Sequence, residues 1–214
     1  MDITNKFENL GFDKQQRILN AALKEFAGND YDQASTNQIV KEAEIGKGML
    51  FYYFKNKKEL YHYLITYSLD IIIEKYLNLI DTNETDFIER YKLATKVKMK
   101  AFAENPNVFN FIGTFFLAET VQLPDKIMEE YNRLNELGYT IIYDNIDYSL
   151  FRDDIDVSKA FQLIRWSIEG YQEELKKRLH GKKLSFIDMN PYWDEFYEYL
   201  DVLKTSFYKK EGEV

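Results

Sequence analysis

Apolar side chains recur every three or four residues along this sequence, and that spacing constrains the fold more than any other feature. The clearest run extends from Val157 to Leu179, and a second extends from Trp193 to Phe207. Such spacing places residues on one face of an α-helix, because a helix has about 3.6 residues per turn. The sequence contains no Asn-Gly or Asp-Gly hairpin turn and no sustained alternation of period two. It therefore predicts an all-α fold.

Composition excludes several kinds of site. The 214 residues include no cysteine, which rules out a disulfide framework, a thiolate metal site and a cysteine nucleophile. With only His62 and His180, a histidine zinc site is also disfavoured. We therefore expect neither a metal nor a cofactor.

Targeting and membrane segments are not expected either. The first residues are charged and lack the apolar centre of a signal peptide. The longest nearly uncharged apolar stretch, 109–118, is about half as long as the roughly 20 residues of a membrane helix. These features predict a cytoplasmic protein that does not contact the membrane.

The charge distribution differs between the two ends of the chain. The net charge is −8, but residues 1–65 hold nine basic and nine acidic side chains, so the acidic excess lies beyond residue 65. Between Ile45 and Lys58 there are four lysines and no acid. A local basic patch on an acidic protein is typical of a DNA-facing surface. A solvated helix end would show the same charges, so this interpretation stays open beside the first.

Four helices, three short and one long, are predicted between residues 13 and 80. Asp13 is the predicted N-cap of the first helix, Ser35 begins a capping box for the second, and Asn56 caps the long fourth helix. The second and third helices are joined by a tight turn at 44–46 that contains a glycine. Two short helices around such a turn are the signature of a helix-turn-helix, whose second helix enters the major groove of DNA.

The rest of the chain is also predicted to be helical. The expected helices are 83–105, 106–121, one that begins at 124, 157–180 and 191–209, with a loop at 148–156. The last two have the alternating spacing of helices that pack as in a coiled coil. They could form a four-helix dimer contact with a second copy, or they could bury these faces in their own core. We expect the homodimer, since a helix-turn-helix protein usually reads two half-sites.

Residues 35–60 resemble the DNA-binding domain of the TetR/AcrR family of bacterial transcriptional regulators. The most specific part is 47–57, KGMLFYYFKNK, and the upstream helix RILNAALKEF also fits. The resemblance covers about residues 13–66. It implies a DNA-binding domain at 1–55, with the helix-turn-helix at about 35–54, and a ligand-sensing and dimerisation domain at 56–214. It implies a repressor that binds a palindromic operator in double-stranded DNA as a dimer and is released by a small molecule.

The resemblance also implies which side chains contact DNA. Thr36 would bind a phosphate, Tyr52 would pack on a thymine methyl group or the sugar-phosphate edge, and Lys57 would neutralise a phosphate. Met49 and Tyr53 stand where the family commonly has threonine and histidine, so the operator sequence is not predicted. A core position for Tyr52 is the alternative. The complete set of expected DNA-binding residues is Ser35, Thr36, Asn37, Lys47, Gly48, Met49, Tyr52, Tyr53 and Lys57.

Family members sense a small molecule in the C-terminal half, which is rich in aromatic residues here. Aromatic walls with a few polar groups suit an apolar or aromatic effector, and two glutamates near them would also admit a cationic one. An ordinary aromatic core is the alternative. The candidate ligand-binding residues are Phe102, Phe115, Phe116, Glu119, Tyr139, Trp166 and Glu169.

Two other classes of function remain as alternatives: an enzyme, and a helical protein-interaction module that does not bind DNA. The adjacent acids Asp153-Asp154 and Glu173-Glu174 could suggest acid–base chemistry. Adjacent helix positions point about 100° apart, however, so solvated faces explain them better. The sequence contains no GxSxG, P-loop or dinucleotide-binding motif. We therefore expect a regulator and not an enzyme.

Overall fold

The computed structural model describes residues 3–29, 31–117, 123–182 and 184–210. These residues form ten α-helices and three short 3-10 turns, and their only β pairing is a bridge between Phe151 and Tyr208. The all-α prediction is confirmed. Within the described ranges, no helix is both long and apolar enough to cross a bilayer. The helices are α1 (Ile3–Glu8), α2 (Phe12–Gly28), α3 (Thr36–Glu42), α4 (Lys47–Tyr53), α5 (Lys57–Lys75), α6 (Phe87–Glu104), α7 (Pro106–Leu117), α8 (Asp125–Tyr143), α9 (Val157–Leu179) and α10 (Asn190–Phe207).

Side-chain caps begin two of the predicted helices. The Ser35 side chain accepts a hydrogen bond from the Gln38 backbone N–H at 3.4 Å, and that of Asn56 accepts one from Glu59 at 2.9 Å. Both predicted caps are confirmed. The prediction that Asp13 caps α2 is wrong, because the helix begins one residue earlier, at Phe12. Asp13 lies in the first turn instead, where a carboxylate is favourable to the helix dipole.

Backbone hydrogen bonds in the turn between α3 and α4 cap the C-terminus of α3. The Ile45 backbone N–H donates to the Val40 carbonyl at 3.0 Å, and that of Glu44 donates to Lys41 at 3.3 Å. Glu44 has a φ of 55°, in the left-handed region that glycine usually occupies at the end of a helix. This pair of bonds is the Schellman arrangement, and it sets the direction in which α4 leaves α3.

Several helix boundaries differ from the predicted ones. The long helix ends at Lys75 rather than near residue 80, and a 3-10 turn, Leu77–Leu79, follows it. The helix expected from residue 83 begins at Phe87, because the Asp86 carboxylate accepts from the backbone N–H groups of Ile88 and Glu89. Helix α1 was not predicted at all.

The N-terminal unit and the body share one core. Phe26 of α2 contacts the ring of Tyr61 on α5 at 5.0 Å between centroids and that of Phe111 on α7 at 6.3 Å. The predicted division between residues 55 and 56 falls in the turn before α5. The core continues across that turn, so α5 and α7 connect the helix-turn-helix to the rest of the chain.

The apolar stripe of α9 and α10 faces the chain's own interior. Ile164 and Leu200 are completely buried, and Ile168 is 1% exposed. For these three side chains the alternative holds, since they are buried in the chain's own core. Tyr171, Leu175 and Leu203 of the same stripe are half-buried, and the homodimer stays a prediction. Large apolar side chains on the other side remain exposed, including Trp166 at 60% and Val202 at 62%.

Candidate nucleic-acid interface

Helix α4 divides its side chains between the core and one exposed face. Leu50 is fully buried, and α4 packs against α1 and α3. Lys47 and Gly48 are exposed at its first turn. Met49 is 37% exposed and Tyr52 is 56% exposed. The structure therefore brings four of the predicted DNA-binding residues to one accessible surface.

Tyr53 does not belong to that surface. It is 6% exposed, and its ring packs edge-on against Phe7 at 5.9 Å between centroids. Neighbouring helix positions point about 100° apart, so Tyr52 and Tyr53 cannot face the same way. The structure places Tyr53 in the core beneath the exposed face, where its ring has no access to a ligand.

The start of α3 contributes the remaining polar groups. Ser35 is half-buried: its hydroxyl caps α3, and its backbone N–H donates to the Glu25 carboxylate at 2.8 Å. Thr36 is also half-buried, whereas Asn37 is exposed. Asn37 is therefore the more accessible of the predicted side chains at this end, and Ser35 shapes the helix start.

Four lysines surround this surface. Lys47, Lys55 and Lys58 are exposed, and among the described residues none of them forms an ion pair. Lys57 is half-buried, because its ammonium group donates to the Asp32 carbonyl at 3.2 Å and lies 4.9 Å from the centroid of the Tyr31 ring. Lys57 thus helps to hold the segment before α3 as well as adding charge.

Helix α1, which the sequence pattern did not predict, supports α4. The Lys6 ammonium nitrogen lies 4.3 Å from the centroid of the Tyr52 ring. Phe7 is 1% exposed, and its ring packs on Phe54 at 4.7 Å and on Tyr63 at 5.5 Å. Burial, with a contribution from the negative charge of Glu8, raises the pKa of Tyr63 to about 12, so its hydroxyl stays neutral.

One side chain of α2 fixes the end of α1. The amide nitrogen of Gln15 donates to the carbonyls of Phe7, Glu8 and Leu10 at 3.2, 2.7 and 2.9 Å. The apolar pair Phe7 and Leu10, three residues apart before a glycine, was the signal that could have revealed this short helix.

The predicted ligand-binding residues that the structure describes lie at several separate places. Phe102 packs against Phe109 at 5.9 Å, and Phe115 is half-buried on α7. Trp166 points outward on α9, where it is 60% exposed. Glu119 lies outside the described residues, as does the side chain of Phe116.

Two of these candidates meet at Arg165. Its guanidinium lies 5.6 Å from the ring of Tyr139 and 4.8 Å from that of Tyr143. A guanidinium nitrogen is 3.6 Å from a Glu169 carboxylate oxygen. Because Arg165 already neutralises Glu169, this carboxylate gives little support to a cationic effector. The described part of the chain also holds no cluster of side chains suited to a metal.

Comparisons with known proteins agree with this geometry. Residues 18–64 match the family described as bacterial regulatory proteins, tetR family. An HTH-type transcriptional regulator of Staphylococcus aureus strain USA300 is 28% identical over 116 residues, which are 50% of this chain and 63% of that protein. The match thus spans less than two thirds of the curated relative.

Solved structures share the fold over almost the whole chain. A TetR family transcriptional regulator from Chloroflexus aurantiacus aligns over 97% of this chain and 99% of its own, with a TM-score of 0.61 and 23% identity. The transcriptional regulator FadR from Bacillus subtilis, solved in complex with stearoyl-CoA, aligns over 86% and 96% with a TM-score of 0.54 and 22% identity. Residues 18–64 thus match the tetR family of bacterial regulatory proteins, and the chain shares the fold of solved TetR family regulators.

Proposed function

We propose that this protein is a transcriptional repressor that binds a palindromic operator as a homodimer and is released by a small molecule. The observation that carries the proposal is the exposed face of α4, where Lys47, Met49 and Tyr52 stand among lysines without described acidic partners. Helix α4 is the second helix of the helix-turn-helix, and a second helix with an exposed basic face fits the major groove of DNA.

The chemistry of this face suits DNA in two ways. Exposed lysines attract the phosphate backbone and release its counterions, which supplies affinity for any sequence. Tyr52 and Met49 present apolar atoms that can contact a thymine methyl group, and the Tyr52 hydroxyl can bond to a base edge or a phosphate. Asn37 at the start of α3 can bind either a phosphate or a base edge. Different side chains would therefore contact the bases and the phosphates.

Dimerisation is proposed through the outer faces of α9 and α10. Trp166 and Val202 are 60% and 62% exposed there, beside an open groove of about 410 Å³ between the two helices. A Cβ atom added at Gly170, which lines this groove, would meet nothing within 4 Å. Exposed apolar patches of this kind mark interaction surfaces, and a two-fold dimer matches two operator half-sites.

Ligand response is proposed through the packing of α7 on α2. Asn107 donates to the Asn20 side chain at 3.1 Å, and Phe111 contacts Phe26. An effector that binds the body better when the two reading helices are wrongly spaced would weaken DNA binding. A hundredfold release needs about 2.7 kcal/mol of differential affinity, which is an ordinary coupling energy. The structure of FadR in complex with stearoyl-CoA, which shares this fold, supports the proposal.

A mobility-shift assay on DNA from the protein's own promoter region tests the proposal. The expected result is a shifted band that an excess of unrelated DNA does not remove and that an excess of the same unlabelled DNA does. A protein that shifts neither DNA would be a helical module of another function, and the proposal would fail. Equal competition by both DNAs would leave only non-specific binding and would also contradict it.

A further inference from the structure

Lys98 lies on the face of α6 that is turned toward the interior. It stands four residues after Ala94 and three before Ala101, which are 2% and 1% exposed. Phe87, eleven residues before Lys98 and therefore about 20° away around the helix, is fully buried. Only small or apolar side chains are expected at the centre of such a face. A lysine there needs an explanation.

Two observations together indicate that Lys98 borders an internal recess. Its side chain is exposed, yet burial lowers its pKa from the ordinary value. Both observations hold if the side chain extends into a space that water can enter but that protein surrounds. The Lys98 ammonium nitrogen lies 5.9 Å from the centroid of the Tyr76 ring, at the end of α5. We call this space the Lys98 recess.

No described acidic group compensates the charge of Lys98. None of the ion pairs among the described residues includes it, and no negative charge opposes the lowering of its pKa. Lys92 on the same helix shows the contrast, since its ammonium lies 3.3 Å from Glu89 and 2.5 Å from Asp201. An unpaired ammonium group in a desolvated place costs free energy unless an anion joins it.

Tyrosines border the same region. Burial raises the pKa of Tyr76 to about 12, so its hydroxyl remains a neutral donor. Tyr91 lies seven residues before Lys98 on the same side of α6, and burial raises its pKa well above the ordinary value, so its hydroxyl also stays neutral. Aromatic walls with hydroxyl donors and one ammonium group suit the carboxylate of a largely apolar molecule.

We propose that Lys98 is the anion-recognising residue of the effector site, and that the effector is an apolar or aromatic organic acid bound through a single carboxylate. The inference rests on the proposed ligand response and specifies its chemistry. It replaces the cationic effector that the glutamates suggested, because Glu169 is paired with Arg165. One ammonium group matches a monoanion. A phosphate dianion would leave a negative charge without a described partner.

Calorimetric titration of the full chain without DNA tests this proposal. Three probes share one ring system and differ in charge: naphthalene-2-carboxylate, 2-naphthylmethanol and 2-naphthylmethylammonium. The proteins are the wild type, Lys98→Met, Lys98→Arg and Lys96→Met. Lys96 lies on the same helix and is exposed to solvent, so its substitution is a matched control for the change in net charge.

The wild type should bind the carboxylate about tenfold or more tightly than the alcohol and should not bind the ammonium probe measurably. Lys98→Met should remove the preference for the carboxylate, whereas Lys98→Arg should retain it and Lys96→Met should leave it unchanged. Circular dichroism checks that each variant is folded. Lys98→Met should fold, since an apolar side chain suits this face.

Three results would overturn the proposal: equal binding of the three probes, an unchanged carboxylate preference in Lys98→Met, or no binding of the carboxylate by the wild type. A separate DNA titration distinguishes these failures from failure of the regulatory function. If the carboxylate binds through Lys98 but does not weaken DNA binding, the site stands and the proposed release is wrong.

Discussion

The ammonium group of Lys6 lies over the ring of Tyr52, with 4.3 Å between the nitrogen and the ring centroid. Lys6 belongs to α1, which lies outside the region that matches the family, residues 18–64. Tyr52 is 56% exposed on the proposed reading face. A helix that precedes the family domain thus limits the orientations of a side chain that we propose to contact DNA.

Removing this contact should weaken DNA binding modestly. An exposed cation–π contact is worth about 0.5–1 kcal/mol, so Lys6→Ala should lower operator affinity about two- to fivefold. Fluorescence anisotropy with a labelled operator measures the change. Lys96→Ala, which removes the same charge from the exposed side of α6, should have almost no effect. Equal effects of the two substitutions would show that only net charge matters.

Glu44 should be a position where glycine stabilises the protein. Its φ of 55° lies in the left-handed region, which costs a residue with a side chain about 1–2 kcal/mol. Glu44→Gly should therefore raise the free energy of unfolding by about 1 kcal/mol, after the greater entropy of glycine in the unfolded chain is subtracted. Urea denaturation measures this value.

Asn145 provides the control for Glu44. It has a φ of 58°, but asparagine tolerates this region because its side chain can hydrogen-bond locally. Asn145→Gly should change the free energy of unfolding less than Glu44→Gly does. A loss of stability in Glu44→Gly would mean that its side chain makes a contact worth more than the backbone strain.

The outer face of α10 should control the oligomeric state. Val202 is 62% exposed, so Val202→Glu should leave the fold intact and place a charge in the proposed dimer contact. Light scattering should give twice 25.6 kDa for the wild type and 25.6 kDa for the variant. Leu200→Ala is the contrast, since Leu200 is completely buried and its truncation should cost about 2–5 kcal/mol of stability. A Val202→Glu protein that stayed dimeric would refute this interface.

Arg90 should be essential for the packing of α6 against α8. It is 1% exposed, and within the described residues its guanidinium donates to backbone carbonyls alone, those of Thr82, Glu84, Ile141, Ile142, Asp144 and Asn145. Arg90→Met leaves these acceptors without their donor, so we expect a loss of about 3 kcal/mol or more in the free energy of unfolding. Chemical denaturation measures the loss. A loss below about 1 kcal/mol would show that water replaces the guanidinium.

Some local interactions were predictable from the sequence, and the tertiary ones were not. The caps at Ser35 and Asn56 depend on a side chain and a backbone N–H three residues away, so the pattern alone reveals them. The end of α5 at Lys75 was not predicted, and the 3-10 turn that follows it buries Leu77, which is 5% exposed. For α9 and α10 the spacing correctly identified an apolar face, but it could not tell whether that face meets the same chain or a second copy.

The candidate site shows the same limit. Sequence similarity assigned both Tyr52 and Tyr53 to the DNA-binding surface. Tyr52 is exposed, but Tyr53 is buried, because Phe7 of α1 covers that side of α4. Lys6 and Lys98 were not predicted as functional residues, since a lone lysine carries no motif. Their possible roles became visible only from the rings beside them, those of Tyr52 and Tyr76.

The most direct test of the account is an anisotropy titration of the labelled promoter DNA over a range of salt concentrations, with wild type, Lys57→Ala and Tyr52→Ala. Wild-type affinity should fall steeply with salt, as phosphate contacts require. Lys57→Ala should weaken binding to operator and unrelated DNA alike and lower the salt slope by about one. Tyr52→Ala should weaken operator binding selectively, since a base-edge contact is worth about 1–3 kcal/mol of discrimination. If both variants bound the operator as the wild type does, the assignment of this surface to DNA would be wrong.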